Sequence, residues 1–154
     1  MVGKMNKTHQ WIQSMTAILT VCITAGALYQ LSLVQKALYS SANANIYTHE
    51  LQLSQNLLAD TTYYDYLYAG SIIDSAHPDY KKVSEFIALF SDFFEHVSLQ
   101  QDNLPEGVWE AWKNWMLDVF EESPMLVSHY ANNSEHYSPQ IIKVFNEYIR
   151  RRKQ

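Results

Sequence analysis

Between Lys7 and Lys36 the sequence contains no Asp, Glu, Lys or Arg, and this one stretch limits what the rest of the chain can be. At about 1.5 Å per helical residue, Trp11 to Val34 is long enough to cross about 30 Å of hydrocarbon. The expectation is one transmembrane helix near the N-terminus, spanning roughly residues 11 to 35. Trp11 at one end and Tyr29 or Tyr39 near the other suit the headgroup zone, where a ring with one polar edge is favoured. A secretory signal peptide is the rival reading, since Lys4 and Lys7 make a basic start and Ala25-Gly26-Ala27 offers a small-residue cleavage site. Against it, apolar character continues past that point through Leu28, Leu31, Leu33 and Val34. A lipoprotein reading fails because Val21 is bulky and the apolar run lies largely after Cys22.

The stretch is not uniformly apolar. At 100° per residue Gln13, Thr16, Thr20 and Thr24, with the small Ala17 and Ala27, share one arc of the helix. Hydroxyls and amides can bond across an interface and small residues permit close approach, so self-association into a homo-oligomer is expected from this face. The alternative is that each threonine bonds back to a carbonyl one turn earlier and faces lipid. Lys4, Lys7 and the amino terminus outnumber Lys36, and this charge bias alone places the N-terminus in the cytoplasm.

The rest of the chain reads as a single soluble domain, giving two parts: residues 1–39 with the membrane helix, and 40–154. The composition, 47% hydrophobic and 18% charged with four Gly and four Pro, argues against disorder and against a turn-rich all-β chain. The expected fold class is all-α. Ser40 to Asn45 reads as a short joint or a frayed continuation of the anchor, and Ile46 to Ala69 as a helix ending near Gly70. The prolines sit where helices can begin, since the first turn leaves its N–H groups unpaired anyway. Pro78 precedes a helix carrying Val83, Phe86, Phe90, Phe93 and Val97. Pro105 precedes one carrying Trp109, Trp112, Met116, Val119 and Phe120, with Asn103-x-x-Glu106 as a capping box. Pro124 follows Ser123, and Pro139 opens a last helix with Ile141, Ile142, Phe145, Tyr148 and Ile149. Val127 to Tyr137 reads as the longest polar connection.

Chemistry-bearing patterns are few. No metalloprotease helix, phosphate-cradling glycine loop or glycine-flanked serine elbow is present, so the chain is not read as an enzyme, and no cofactor or metal is expected. Cys22 alone builds neither an intramolecular disulfide nor a cysteine zinc site. Glu95-His96, and His129 with His136, are the nearest constellations for a metal or a proton. All sixteen Asp and Glu follow the apolar stretch, which speaks against binding duplex nucleic acid. The basic residues behind it are concentrated instead: Lys143, Arg150, Arg151, Arg152 and Lys153, with Lys81 and Lys82 as a weaker pair. Such a cluster suits an anion, although cations at a helix C-terminus also offset its dipole. With Tyr130, Asn132, Asn133, His136 and Tyr137 it gives rings, amides and cations, the groups that stack on and read a nucleotide.

The layout of a short anchor with a polar stripe, a small helical domain containing Phe93-Phe94-Glu95 and Trp109-x-x-Trp112-x-x-Trp115, and a basic tail resembles the small membrane-anchored accessory effectors of type III CRISPR systems. The resemblance implies a bacterial inner-membrane protein whose cytoplasmic C-terminal domain binds a cyclic oligoadenylate, notably cyclic tetra-adenylate, as a tetramer, and disrupts or opens the membrane through its helices. That orientation is opposite to the charge bias. The alternative is a passive membrane-anchored module that docks a protein and has no nucleotide ligand.

Overall fold

The computed structural model describes residues 7–154; Lys4, one of the flanking charges, lies outside them. The described chain consists of six α-helices and two 3-10 turns, without a strand. It divides into two compact units between Ser40 and Ser41.

In the first unit, α1 (Lys7–Ala59) begins and carries the uncharged stretch, and every described side chain from Gln10 to Leu38 is exposed. It is the one described helix long and apolar enough to cross a membrane. The threonine hydroxyls are spent inside it: Thr16 donates to the Ile12 carbonyl at 2.9 Å, Thr20 to the Thr16 carbonyl and Thr24 to the Thr20 carbonyl, both at 2.8 Å. A hydroxyl bonded this way no longer needs a partner across an interface.

No break occurs over Ser40 to Asn45. Helix continues there because Ala42 and Ile46, one turn apart, are both buried in the second unit. The expected helix from Ile46 to Ala69 is divided instead. It stops at Asp60, whose carboxylate accepts the Thr62 N–H at 3.0 Å and binds Lys82, and α2 (Thr62–Tyr68) starts afresh. Gly70, at φ +71°, then lets the Ser71 N–H reach back to the Asp65 carbonyl at 3.0 Å, a left-handed turn that a β-carbon would disfavour.

The core is aromatic because of the spacing along α3 (Tyr80–Leu99), which buries Val83, Phe86, Ile87, Phe90, Phe93, Phe94 and Val97. Helix α4 (Glu106–Glu122) answers with Met116, Leu117, Val119 and Phe120, and α6 (Pro139–Arg151) with Ile141, Val144, Phe145 and Tyr148. Ile142 and Ile149, expected in that stripe, are only half-buried. Phe120 is the hub: its ring meets Phe94 at 5.5 Å, Tyr130 at 5.2 Å and Phe145 at 5.3 Å. Burying each such ring contributes about 2–3 kcal/mol, and the edge-to-face contacts add about 1 kcal/mol. Trp112 and Trp115 close one side of this cluster against Phe93.

The expected capping box is absent: Pro105 precedes α4 and caps nothing with a side chain, while the Asn103 amide donates to Gln100 Oε1 at 3.0 Å. The expected connection from Val127 to Tyr137 is also largely helical. α5 (Pro124–Asn133) occupies its first part and a 3-10 turn, Ser134–His136, most of the rest. Its start is well defined, with Pro124 in the first turn and Ser123 Oγ accepting the Leu126 N–H at 3.2 Å.

Candidate functional site

Folding α5 changes the standing of the ring-and-amide group. Tyr130 is fully buried, its hydroxyl donates to the Ser91 carbonyl at 3.0 Å, and burial drives its titration well above the ordinary phenol range. It is a core residue and cannot stack on a ligand. The two asparagine amides serve their own helix, Asn132 Nδ2 donating to Ser128 Oγ at 3.3 Å and Asn133 Nδ2 to the His129 carbonyl at 2.8 Å. Tyr137 is held at 2.7 Å by His129 Nε2, whereas His136 is exposed beside Glu135 at 3.9 Å. His129 and His136 therefore do not form a pair.

The cations are likewise placed apart from the rings. Helix α6 has 13 residues, so at about 1.5 Å each its two ends lie about 20 Å apart. His136 and Tyr137 precede one end and Arg150, Arg151 and Arg152 occupy the other, with the exposed Lys143 between them. Arg151 pairs with Glu147 at 2.6 Å; Arg150 Nε donates to the Asn146 carbonyl at 3.3 Å and Arg152 to the Tyr148 hydroxyl at 3.2 Å. Only Arg151 of the three forms an ion pair among the described residues, so the end of α6 stays basic. Lys82 is committed to Asp60 and sits 5.3 Å above the Tyr63 ring.

A second polar cluster forms on α3, where Asp92, Glu95 and His96 share one face at three- and four-residue spacing. Glu95 Oε1 accepts the Ser138 N–H at 2.7 Å, so this carboxylate holds the residue that starts α6. Burial, aided by Glu95, pushes the Asp92 carboxyl above its ordinary value. Burial lowers His129 as well, against the opposing pull of Asp92. His96 is lowered by burial and then by His49, whose ring lies 4.6 Å from its own. His49, Asp92 and His96 border a cavity of about 270 Å³ that is also lined by Gln52, Leu53, Asn56, Leu89 and Phe93.

Chemically this is a set of hydrogen-bonding groups around two imidazoles, of which His96 is disfavoured from carrying charge by its burial. Among the described residues no three His, Cys, Asp or Glu side chains converge as a metal-ligand set. The α1 half of the cavity was missed by sequence reasoning, although His49, Gln52, Leu53 and Asn56 fall at the three- and four-residue spacing of one helix face. The leucines beside them attract attention first. No protein-family model, curated protein or solved structure matches the chain.

Proposed function

We propose that the protein is a single-pass membrane effector: the apolar part of α1 crosses the bilayer, and the domain from Ser41 onward takes an anionic ligand on the cytoplasmic side. The observation that carries this reading is the uncharged stretch Trp11–Val34, whose side chains are all exposed and have no place in water. The ligand class rests on the basic end of α6, where Arg150, Arg152 and Lys153 keep their charge uncancelled. By the family resemblance that anion is cyclic tetra-adenylate. Several copies are needed to surround such a ligand with these ends, since one protomer offers them too few contacts. Binding that favours one arrangement of the assembled helices over another then shifts the membrane between closed and leaky states.

Calorimetric titration of the full chain in lipid nanodiscs with cyclic tetra-adenylate tests the ligand, with micromolar binding expected and lost in the Arg150→Ala/Arg152→Ala variant. Absence of heat with the wild type sinks the nucleotide. A topology reporter fused after Gln154 tests the orientation, because a C-terminus outside the cytoplasm has no access to a cytoplasmic messenger.

One observation favours the second reading, an anchored protein-docking module. Tyr47, Leu51 and Leu58 stand 53%, 60% and 83% exposed on the last turns of α1, and Ile72 is 73% exposed. Under that reading, replacing Leu51 and Leu58 by Gln abolishes partner capture in the membrane, and the basic end of α6 is dispensable.

A further inference from the structure

We propose that the contact between His49 and His96 is an acid-operated latch, holding the last turns of α1 against α3 near neutral pH and releasing them on acidification. The two rings come from different helices, lie 4.6 Å apart between centroids and are tilted by 52°. Beside them the helices do not close, leaving the cavity of about 270 Å³. His96 Nε2 is buried there without a hydrogen-bond partner. Two neutral imidazoles tolerate this tilted contact, since neither ring then carries a charge. Two imidazolium ions do not: they set like charges well inside the distance of about 8 Å over which salt screens, and the Nε2–H of His96 would be a charged donor with no acceptor.

The surrounding charges do not cancel this repulsion. On α1, Glu50 follows His49 but lines a different hollow, with Tyr47 and Trp112. On α3, Asp92 is the one carboxylate lining the cavity; it is exposed to solvent, which screens its charge, and it acts on His129, which it pulls toward the charged form. Glu95 is engaged with Ser138, α4 contributes the uncharged Trp112 beside Phe93, and His129 of α5 lies beyond Asp92 and adds a further positive charge if protonated. The remaining fastenings of this segment include Ala42, Ile46 and Leu53 in the core, the Tyr47 ring 5.8 Å from Trp112, and the Asp60–Lys82 pair. Opening exposes Ile46 and Leu53, so the proton has to work against their burial and the response is graded with pH. The latch does not depend on the nucleotide reading.

The test uses the full chain in lipid nanodiscs, with Cys22→Ser and spin labels at Asn45→Cys on α1 and Lys81→Cys on α3. At pH 7.5 one narrow distance is expected; at pH 5 that population is lost to a longer and broader one. In His49→Gln/His96→Gln the narrow distance persists at both pH values. An unchanged distance in the wild-type pair at pH 5 overturns the latch, as does an acid response of the double variant with the same midpoint. Should the double variant lose the narrow distance already at pH 7.5, His49→Gln alone decides, since His49 is exposed and its replacement leaves His96 to titrate singly. A lower midpoint than wild type then supports the latch only with a smaller acid loss; an unaltered loss overturns it.

Discussion

Ser123 Oγ donates to the Tyr66 carbonyl at 2.7 Å across a separation of 57 residues, while accepting the Leu126 N–H at 3.2 Å. One buried hydroxyl thus fastens α2 and caps α5. Replacing it by alanine leaves both groups without their partner, which costs about 1–3 kcal/mol. Ser123→Ala is expected to lower the melting temperature of the full chain in detergent, and Ser123→Thr to recover part of the loss. No change on Ser123→Ala would show that water replaces the hydroxyl.

Phe120 is fully buried and meets rings from α3, α5 and α6. Phe120→Ala removes the hub and leaves a cavity, a change that costs about 3–5 kcal/mol in well-packed cores. Leu58→Ala, at a side chain 83% exposed, is expected to leave domain stability within about 0.5 kcal/mol of wild type. Chemical denaturation followed by tryptophan fluorescence compares the two.

Acid should weaken the domain from the imidazole range downward. His96 and His129 titrate below the ordinary value of 6.5 in the fold, so as pH falls through 6.5 the unfolded chain takes up protons first. Stability is fully present above that value and declines until the folded imidazoles also protonate. Asp92 works in the opposite sense, because its raised carboxyl binds a proton more readily folded than unfolded and relieves a burial penalty at lower pH. The expected result is a melting temperature that falls between pH 7 and pH 5.5, less steeply in His129→Gln than in wild type.

Asp60 is held at about 2, first by its bond with Lys82 and then by Thr62. Its contribution is present above the ordinary carboxylate value of 3.8 and is lost as pH falls through about 2. In Lys82→Ala, carboxyl NMR should find the Asp60 titration moved up toward its ordinary range; an unmoved resonance would mean that the Thr62 contacts alone hold it.

The threonines of α1 bond back to their own helix, so replacing Thr16, Thr20 and Thr24 by leucine should leave membrane insertion intact. If their face also joins copies, the same variant loses self-association, measured as the oligomer mass in detergent micelles by light scattering. Retained association and membrane effect return this helix to a simple tether.

Much of the helical layout can be read from periodicity and proline. Pro124 and Pro139 do lie in first turns, and the α3 stripe from Val83 to Val97 is buried as spaced. What escaped the sequence is where tertiary contact overrides local chemistry. Asn, Ser and His make Val127 to Tyr137 look like a loop, yet Leu126 and Tyr130, one turn apart, drive it into a helix by entering the core. The same burial removes Tyr130 from any ligand site. Asn103-x-x-Glu106 matches a cap in spacing, but Pro105 already sets the entry to α4. The separation of His136 and Tyr137 from Arg150 depends on α6 being one straight run of helix, which residue type alone does not convey.

The exposure of α1 from Gln10 to Leu38 also bears on how variants of this chain should be sorted. A substitution there changes no buried contact of the described fold, so under the proposed membrane reading its effect belongs to partitioning between phases and not to melting. Under that reading, two separate quantities are therefore encoded in one short polypeptide: a transfer free energy written in residues 10–38 and a folding free energy written behind them. A variant that disappears from the membrane while its detergent melting curve is unmoved has lost the first and kept the second.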